Sequence, residues 1–218
     1  MIQILTTLLI YAIPSVLAIT LHESAHAYAA RCFGDSTAYR LGRLSLNPLH
    51  HIDPVGTILV PGLLLLSSLL TGMGGILFGW AKPVPVNFAM LRNPKRDMIW
   101  VALAGPACNL IQAIAWALLL RLALILTPDQ SVLNLVVSFV YAGISVNLML
   151  MAFNLIPILP LDGGRILTGL LPWRWAYEFS KLERYGLAIM LVLIATGATT
   201  FFIRPFLEIG RFMVRLVL

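Results

Sequence analysis

The sequence predicts an all-α integral membrane protein. It reads as a multi-pass helical bundle of about five apolar segments, one of them a candidate re-entrant segment, with a short extended β element. Three observations lead there. Of 218 residues, 60% are hydrophobic and only 11% charged, against about 25% charged in a soluble domain. Mean hydropathy is +0.92. Apolar stretches recur at roughly 2–31, 57–78, 98–126, 132–157 and 185–203, near the length of about 20 residues that a spanning helix needs. No internal repeat or low-complexity linker divides the chain, so 1–218 reads as one domain. The net charge of +6 is spread between the apolar segments. That pattern excludes a nucleic-acid footprint and reads as a topology signal. Cys32 and Cys108 have no metal or redox spacing and read as packing residues.

Segment 2–31 has no Lys or Arg before Arg31. It therefore lacks the basic start of a signal peptide and reads as a retained transmembrane helix. Segment 32–56 is polar and turn-rich. Segment 57–78 carries Pro61-Gly62, Gly72, Gly74 and Gly75, which suits a re-entrant path. Segment 79–97 contains Pro83, Pro85 and Pro94 and cannot be continuous helix. The residues around Val84 favour an extended chain. Segments 98–126 and 132–157 are helices joined by a turn near Pro128, and 158–184 is a longer polar connection. After the apolar 185–203, the end of the chain is too short to span. In helical register Arg204, Glu208, Arg211 and Arg215 share one face, so this tail reads as interfacial.

The chemistry sits in "LHESAHAYA", residues 21–29. His22 and His26 are at i and i+4 and project from one face of a helix. That spacing lets two imidazoles bind one Zn²⁺, with Glu23 beside the metal, able to take a proton from water there. Each ionisable side chain in an intramembrane helix costs roughly 2.5–3.5 kcal/mol on insertion scales. Three together call for a compensating partner, and a metal supplies one. A hydrolytic zinc wants a third protein ligand and an open position. His50, His51, Glu178, Glu183 and Asp162 are the candidates. Asp162 is favoured because it follows Pro157 and Pro160 and precedes Gly163-Gly164, an irregular backbone at membrane depth that must line a cavity or lie inside protein. Its bland alternative is a helix N-cap.

"HESAH" followed much later by "NLIPILPLDGG" resembles the site-2 protease family of intramembrane zinc metalloproteases. "LAGPACNL" at 103–110, "GWAKPVPVN" at 79–87 and "NPLHHIDPVG" look like its short members without PDZ or CBS domains. The resemblance spans nearly the whole chain. It implies His22, His26 and Asp162 as zinc ligands, Glu23 as the catalytic residue, and Asn154 beside the active site in contact with substrate backbone or oxyanion. It implies no role for His50 or His51, which read as structural or gating residues.

A shared zinc also constrains topology. His26 and Asp162 each lie near the C-terminal end of an apolar segment, so an even number of crossings separates them, and 57–78 is the segment expected to make no net crossing. The basic residues then gather on one side, which the positive-inside rule makes cytoplasmic. A crossing at 185–203 would leave Arg204, Arg211 and Arg215 on the other side, against the rule.

The expected function is peptide hydrolysis of transmembrane substrates in the cell membrane, with zinc as cofactor and the active site nearer the cytoplasm. The rival is a membrane metal transporter or metal-binding protein using the same cluster, with Glu23 as a ligand. A substrate helix must unwind before its peptide bonds are accessible. Residues 76–87 are expected to form an edge strand that clamps the unwound chain through Val84 and Val86, or else a plain loop.

Overall fold

The structure, a computed structural model, describes residues 2–51, 53–59, 82–126 and 129–218. Among these residues the regular structure is helical: α1 Ile2–Cys32, α2 Thr37–Arg40, α3 Pro94–Leu126, α4 Gln130–Asn154, α5 Asp162–Leu170, α6 Trp173–Ser180, α7 Gly186–Ala195 and α8 Thr199–Arg215. Helix α1 is 31 residues long, or roughly 46 Å at 1.5 Å per residue. Helices α3 and α4 are long and apolar enough to cross a membrane.

Helices α1, α3 and α4 form the centre of the bundle. The α3–α4 seam is a conventional apolar core of Ala113, Ala117, Leu120, Val140, Ile144 and Leu148, with Trp116 packed against it. The α1–α3 seam is different. Ala18, His22 and His26 repeat every four residues on α1, and Val101, Gly105 and Asn109 do the same on α3. These two ridges meet antiparallel: His26 reaches Val101, and His22 reaches Asn109. Ridges at i±4 packing into one another are a common helix–helix solution. Here they place polar groups inside the bundle.

The chain leaves α1 and enters α3 at the same end of the bundle. Arg92 N–H donates to the Phe33 carbonyl at 2.9 Å, and the Arg92 guanidinium donates to the Cys32 carbonyl at 3.0 Å. Lys82 N–H donates to the His51 carbonyl at 3.0 Å. The flanks of the excursion between them are therefore pinned together. Of the candidate re-entrant segment 57–78, residues 60–78 lie outside the described residues. The return that a shared metal demands is nonetheless present, because α1 and α3 meet at their C- and N-terminal ends.

Two expectations change. Residues 82–87 have no regular secondary structure, and no strand occurs among the described residues; residues 76–81 of the expected strand lie outside them. The apolar stretch 185–203 is not one straight helix. It divides between α7 and α8, and the stretch Trp173–Ala195 meets Thr199–Arg215 at 85°. Gly197 sits at the bend with φ 73°, a left-handed conformation that favours glycine. A 10-residue α7 covers only about 15 Å, half a bilayer core. The bent pair has the shape of a broken span or a re-entrant loop, not of a straight span ending at 203. Helix α8 instead buries Gly210 and Val214 against the α3–α4 core and leaves Arg204, Glu208, Arg211 and Arg215 exposed.

Asp35 ties the end of α1 to the 82–87 segment. One oxygen accepts from Thr37 N–H at 2.9 Å and from its hydroxyl, and the other accepts from Asn87 N–H at 2.7 Å. Burial works to raise the Asp35 pKa, but the Thr37 and Asn87 hydrogen bonds, aided by the Arg40 charge, hold it below the usual carboxylate range. A depressed carboxylate pKa stabilises the fold above the unfolded value, about 3.9, and that stabilisation is lost as pH falls through the folded value. Asp35→Asn should therefore lower the thermal midpoint at neutral pH. The gap to the native protein should narrow as pH drops below about 4, which thermal melts across a pH series would reveal.

Candidate metal centre

Helix α1 presents His22 and His26 one turn apart, both buried. Their ring planes are nearly perpendicular, at 84°. Each Nδ1 faces an acceptor: His22 Nδ1 donates to the Asn109 Oδ1, and His26 Nδ1 donates to the Val101 carbonyl at 2.7 Å. A ring that donates from Nδ1 keeps its Nε2 lone pair free. The two Nε2 atoms lie 3.0 Å apart.

Asp162 completes the cluster from the other side. It is the first residue of α5, preceded by Leu161 as N-cap, so the N-cap alternative does not hold. The Asp162 Oδ2 lies 3.2 Å from His22 Nε2 and 3.3 Å from His26 Nε2. The N-terminus of α5 adds a favourable field for its negative charge. The Asp-Gly-Gly sequence follows from close approach. A Cβ on Gly163 would lie 2.3 Å from the Leu155 carbonyl oxygen, and one on Gly164 would lie 2.4 Å from Leu159 N. Only glycines let α5 start this tightly against the chain leaving α4, and that contact aims Asp162 inward.

The donor set fits a zinc ion. Two imidazole nitrogens and one carboxylate oxygen lie within 4.8 Å of one another, the ligand types of three-ligand hydrolytic zinc sites. The Asp162 Oδ2 is buried and accepts no hydrogen bond, an expensive state for a carboxylate oxygen, and two lone pairs on Nε2 atoms face it. A cation relieves all three. Space is kept for it by Gly105, where a Cβ would come within 2.4 Å of His26 Nε2 and 2.6 Å of His22 Nε2.

A relay of amides holds the histidines in place. The Asn109 amide donates to Asn147 Oδ1 at 2.9 Å, and Asn147 donates to the Gly143 carbonyl at 2.9 Å. Both asparagines have 0% exposure. Asn109 also reaches the Ala18 carbonyl at 3.4 Å, as Gln112 does at 3.5 Å. The relay links α1, α3 and α4 and fixes which way Asn109 points. Sequence reasoning did not single out Asn109, Asn147 or Gly105. The available signal was a polar side chain inside an otherwise apolar helix, which is costly unless it is paired.

Glu23 lies outside the three-residue group. Its Oε2 accepts the Val84 N–H at 2.8 Å. Val84 is buried and Val86 half-buried. Asn154 ends α4, its amide donating to the Leu150 carbonyl at 3.0 Å. The other ligand candidates are elsewhere. His51 is bound to the Ser45 carbonyl, His50 is exposed, and Glu178 and Glu183 pair with Lys181 and Arg165.

Residues 121–197 match the family model described as Peptidase family M50. YwhC of Bacillus subtilis, which bears the name of a zinc metalloprotease, is 39% identical over 201 residues, covering 90% of this chain and 84% of that protein. The chain belongs to peptidase family M50. As an M50 member it is an intramembrane zinc metalloprotease of the site-2 type, a multi-pass membrane protein whose substrates are membrane-embedded. Rip2 of Mycolicibacterium smegmatis, also named as a zinc metalloprotease, is 31% identical over 84% of this chain, which spans 65% of that relative. Rip3 of Mycobacterium tuberculosis is 39% identical over 106 residues, 46% of this chain and 25% of the relative. No solved structure matches significantly.

Partners behind metal-binding histidines typically matter about 10–100-fold in metal affinity. Asn109→Ala should weaken zinc binding by about that factor, measured by competition with a chromophoric chelator. Glu178→Ala and Glu183→Ala should leave affinity unchanged in the same titration.

Proposed function

We propose that residues 1–218 act as a single membrane-embedded protease domain that hydrolyses peptide bonds of transmembrane substrates, with His22, His26 and Asp162 holding zinc and Glu23 as the general base. The observation that carries this reading is the convergence of His22 Nε2, His26 Nε2 and Asp162 Oδ2 within 3.3 Å of one another. Zinc bound there would lower the pKa of water to about 7 and polarise a scissile carbonyl.

The chain's own groups do the rest. Asn109 and the Val101 carbonyl keep both histidines in the Nδ1–H form. Glu23 takes a proton from the attacking water and returns it to the leaving nitrogen. A metal-transport reading would need Glu23 as a ligand, but its carboxylate is engaged by the Val84 N–H instead. Asn154 and the backbone of Val84 and Val86 are assigned to the substrate. An unwound segment in a membrane needs backbone partners, each missing one costing several kcal/mol. Residues 82–87 are irregular backbone beside Glu23 and can offer the carbonyls of Val84 and Val86.

The site faces the cytoplasm of the cell membrane in this reading. Arg31 near the end of α1, Arg40, Arg43, Lys82 and Arg92 between α1 and α3, and Lys95 and Arg96 at the start of α3 cluster at one end of these helices, whereas 127–131 has no Lys or Arg. That asymmetry is the positive-inside pattern.

Glu23→Gln tests the assignment. The variant should retain one zinc per chain by metal analysis and lose proteolysis by about 10²–10⁴-fold, the range for a general base. Loss of zinc along with activity would make Glu23 a ligand and reject its role as base.

A further inference from the structure

The tripeptide Pro83-Val84-Pro85 has a single backbone N–H, because proline has none. That N–H donates to Glu23 Oε2 at 2.8 Å. The segment carrying it is fixed on every side. Lys82 N–H donates to the His51 carbonyl at 3.0 Å. The Arg43 guanidinium donates to the Lys82 carbonyl at 3.1 Å and the Pro83 carbonyl at 3.4 Å. Asn87 N–H donates to Asp35 at 2.7 Å. The Val84 side chain, 8% exposed, is wedged with Ala27 of α1 and Ala38 of α2. These anchors come from three separate parts of the chain, and they leave the Val84 N–H little freedom to point elsewhere.

Glu23 itself sits on α1 between two metal-ligand candidates, and a glutamate side chain has three rotatable bonds. Without a tether it could swing toward the metal and compete as a ligand, or away from it. We infer that the Val84 N–H is a positioning group for Glu23: it holds Oε2 away from the ligand set and leaves Oε1 to receive the proton. The flanking prolines serve this by removing neighbouring donors and stiffening the backbone. This inference rests on the reading of Glu23 as the base, and it removes the Val84 N–H from the groups that can pair with substrate. A misplacement of about 1 Å in a reacting group can cost about 10²-fold in rate, so the tether has catalytic consequence without touching substrate.

The test replaces the Pro83–Val84 amide by an ester, which deletes the N–H and keeps the valine side chain. The ester form should lose about 10–100-fold in kcat, with KM within about twofold and zinc stoichiometry unchanged. A second readout uses zinc-free protein. The ester should lower the thermal midpoint of the native chain and have no further effect in the Glu23→Ala background, because the two changes remove one interaction. A kcat within twofold of native for the ester, with Glu23→Gln inactive, overturns the positioning role and leaves the base assignment standing. A raised KM at unchanged kcat also overturns it, since the N–H would then serve substrate. Activity retained by Glu23→Gln would instead defeat the base assignment itself.

Discussion

Two imidazole nitrogens and a carboxylate oxygen face one another across about 3 Å inside a helical bundle, and with both histidines donating from Nδ1 their lone pairs converge on one point. That repulsive meeting is the constraint on which the remaining structure depends. A cation among them relieves it, provided that the surrounding chain holds the three groups in place. Packing supplies the holding. The α1 and α3 ridges interlock residue by residue, so that Gly105 opens space where the histidines converge. The Asp162 carboxylate is delivered from a third direction by a helix start that Gly163 and Gly164 allow to press against the end of α4.

The polar relay behind the histidines follows from the same constraint. In an apolar medium each imidazole must place its Nδ1 proton somewhere, and an unpaired buried donor is costly. The Val101 carbonyl and Asn109 receive those protons, Asn147 orients Asn109, and Gly143 receives from Asn147. Three helices are thereby linked by hydrogen bonds through one histidine. The metal centre and the helix-packing arrangement are one structure. This explains why polar residues stand on faces of α3 and α4 that a purely apolar bundle would fill with leucine.

Much of this was legible in the chain. Ionisable residues are so costly in an apolar run that His22, Glu23 and His26 announced themselves, and Asp162 stood out because it follows two prolines and precedes two glycines. The same-side meeting of α1 and α3 was required once those residues were to share an ion. Other features depended on tertiary partners that no local pattern encodes. An asparagine such as Asn109 or Asn147 shows its role only when the facing helix is known. Proline alternation at 83 and 85 suggested an edge strand, but Arg43, His51 and Asp35 hold 82–87 as an anchored strap whose free N–H meets Glu23. Within the apolar run 185–203 Gly197 has a left-handed backbone that turns the chain between α7 and α8; hydropathy alone reads through it.

The central claim is that zinc in this M50 peptidase is held by two Nε2 nitrogens and one carboxylate oxygen at the α1–α3–α5 junction. Zinc K-edge X-ray absorption on the purified, zinc-loaded protein tests it most directly. The account predicts a first shell of nitrogen and oxygen only, at about 2.0–2.2 Å, with the outer-shell scattering of two imidazole rings that falls to none in a His22→Ala, His26→Ala double variant. A sulfur scatterer near 2.3 Å, which would bring Cys108 or Cys32 into the site, or a shell with a single imidazole, would contradict it.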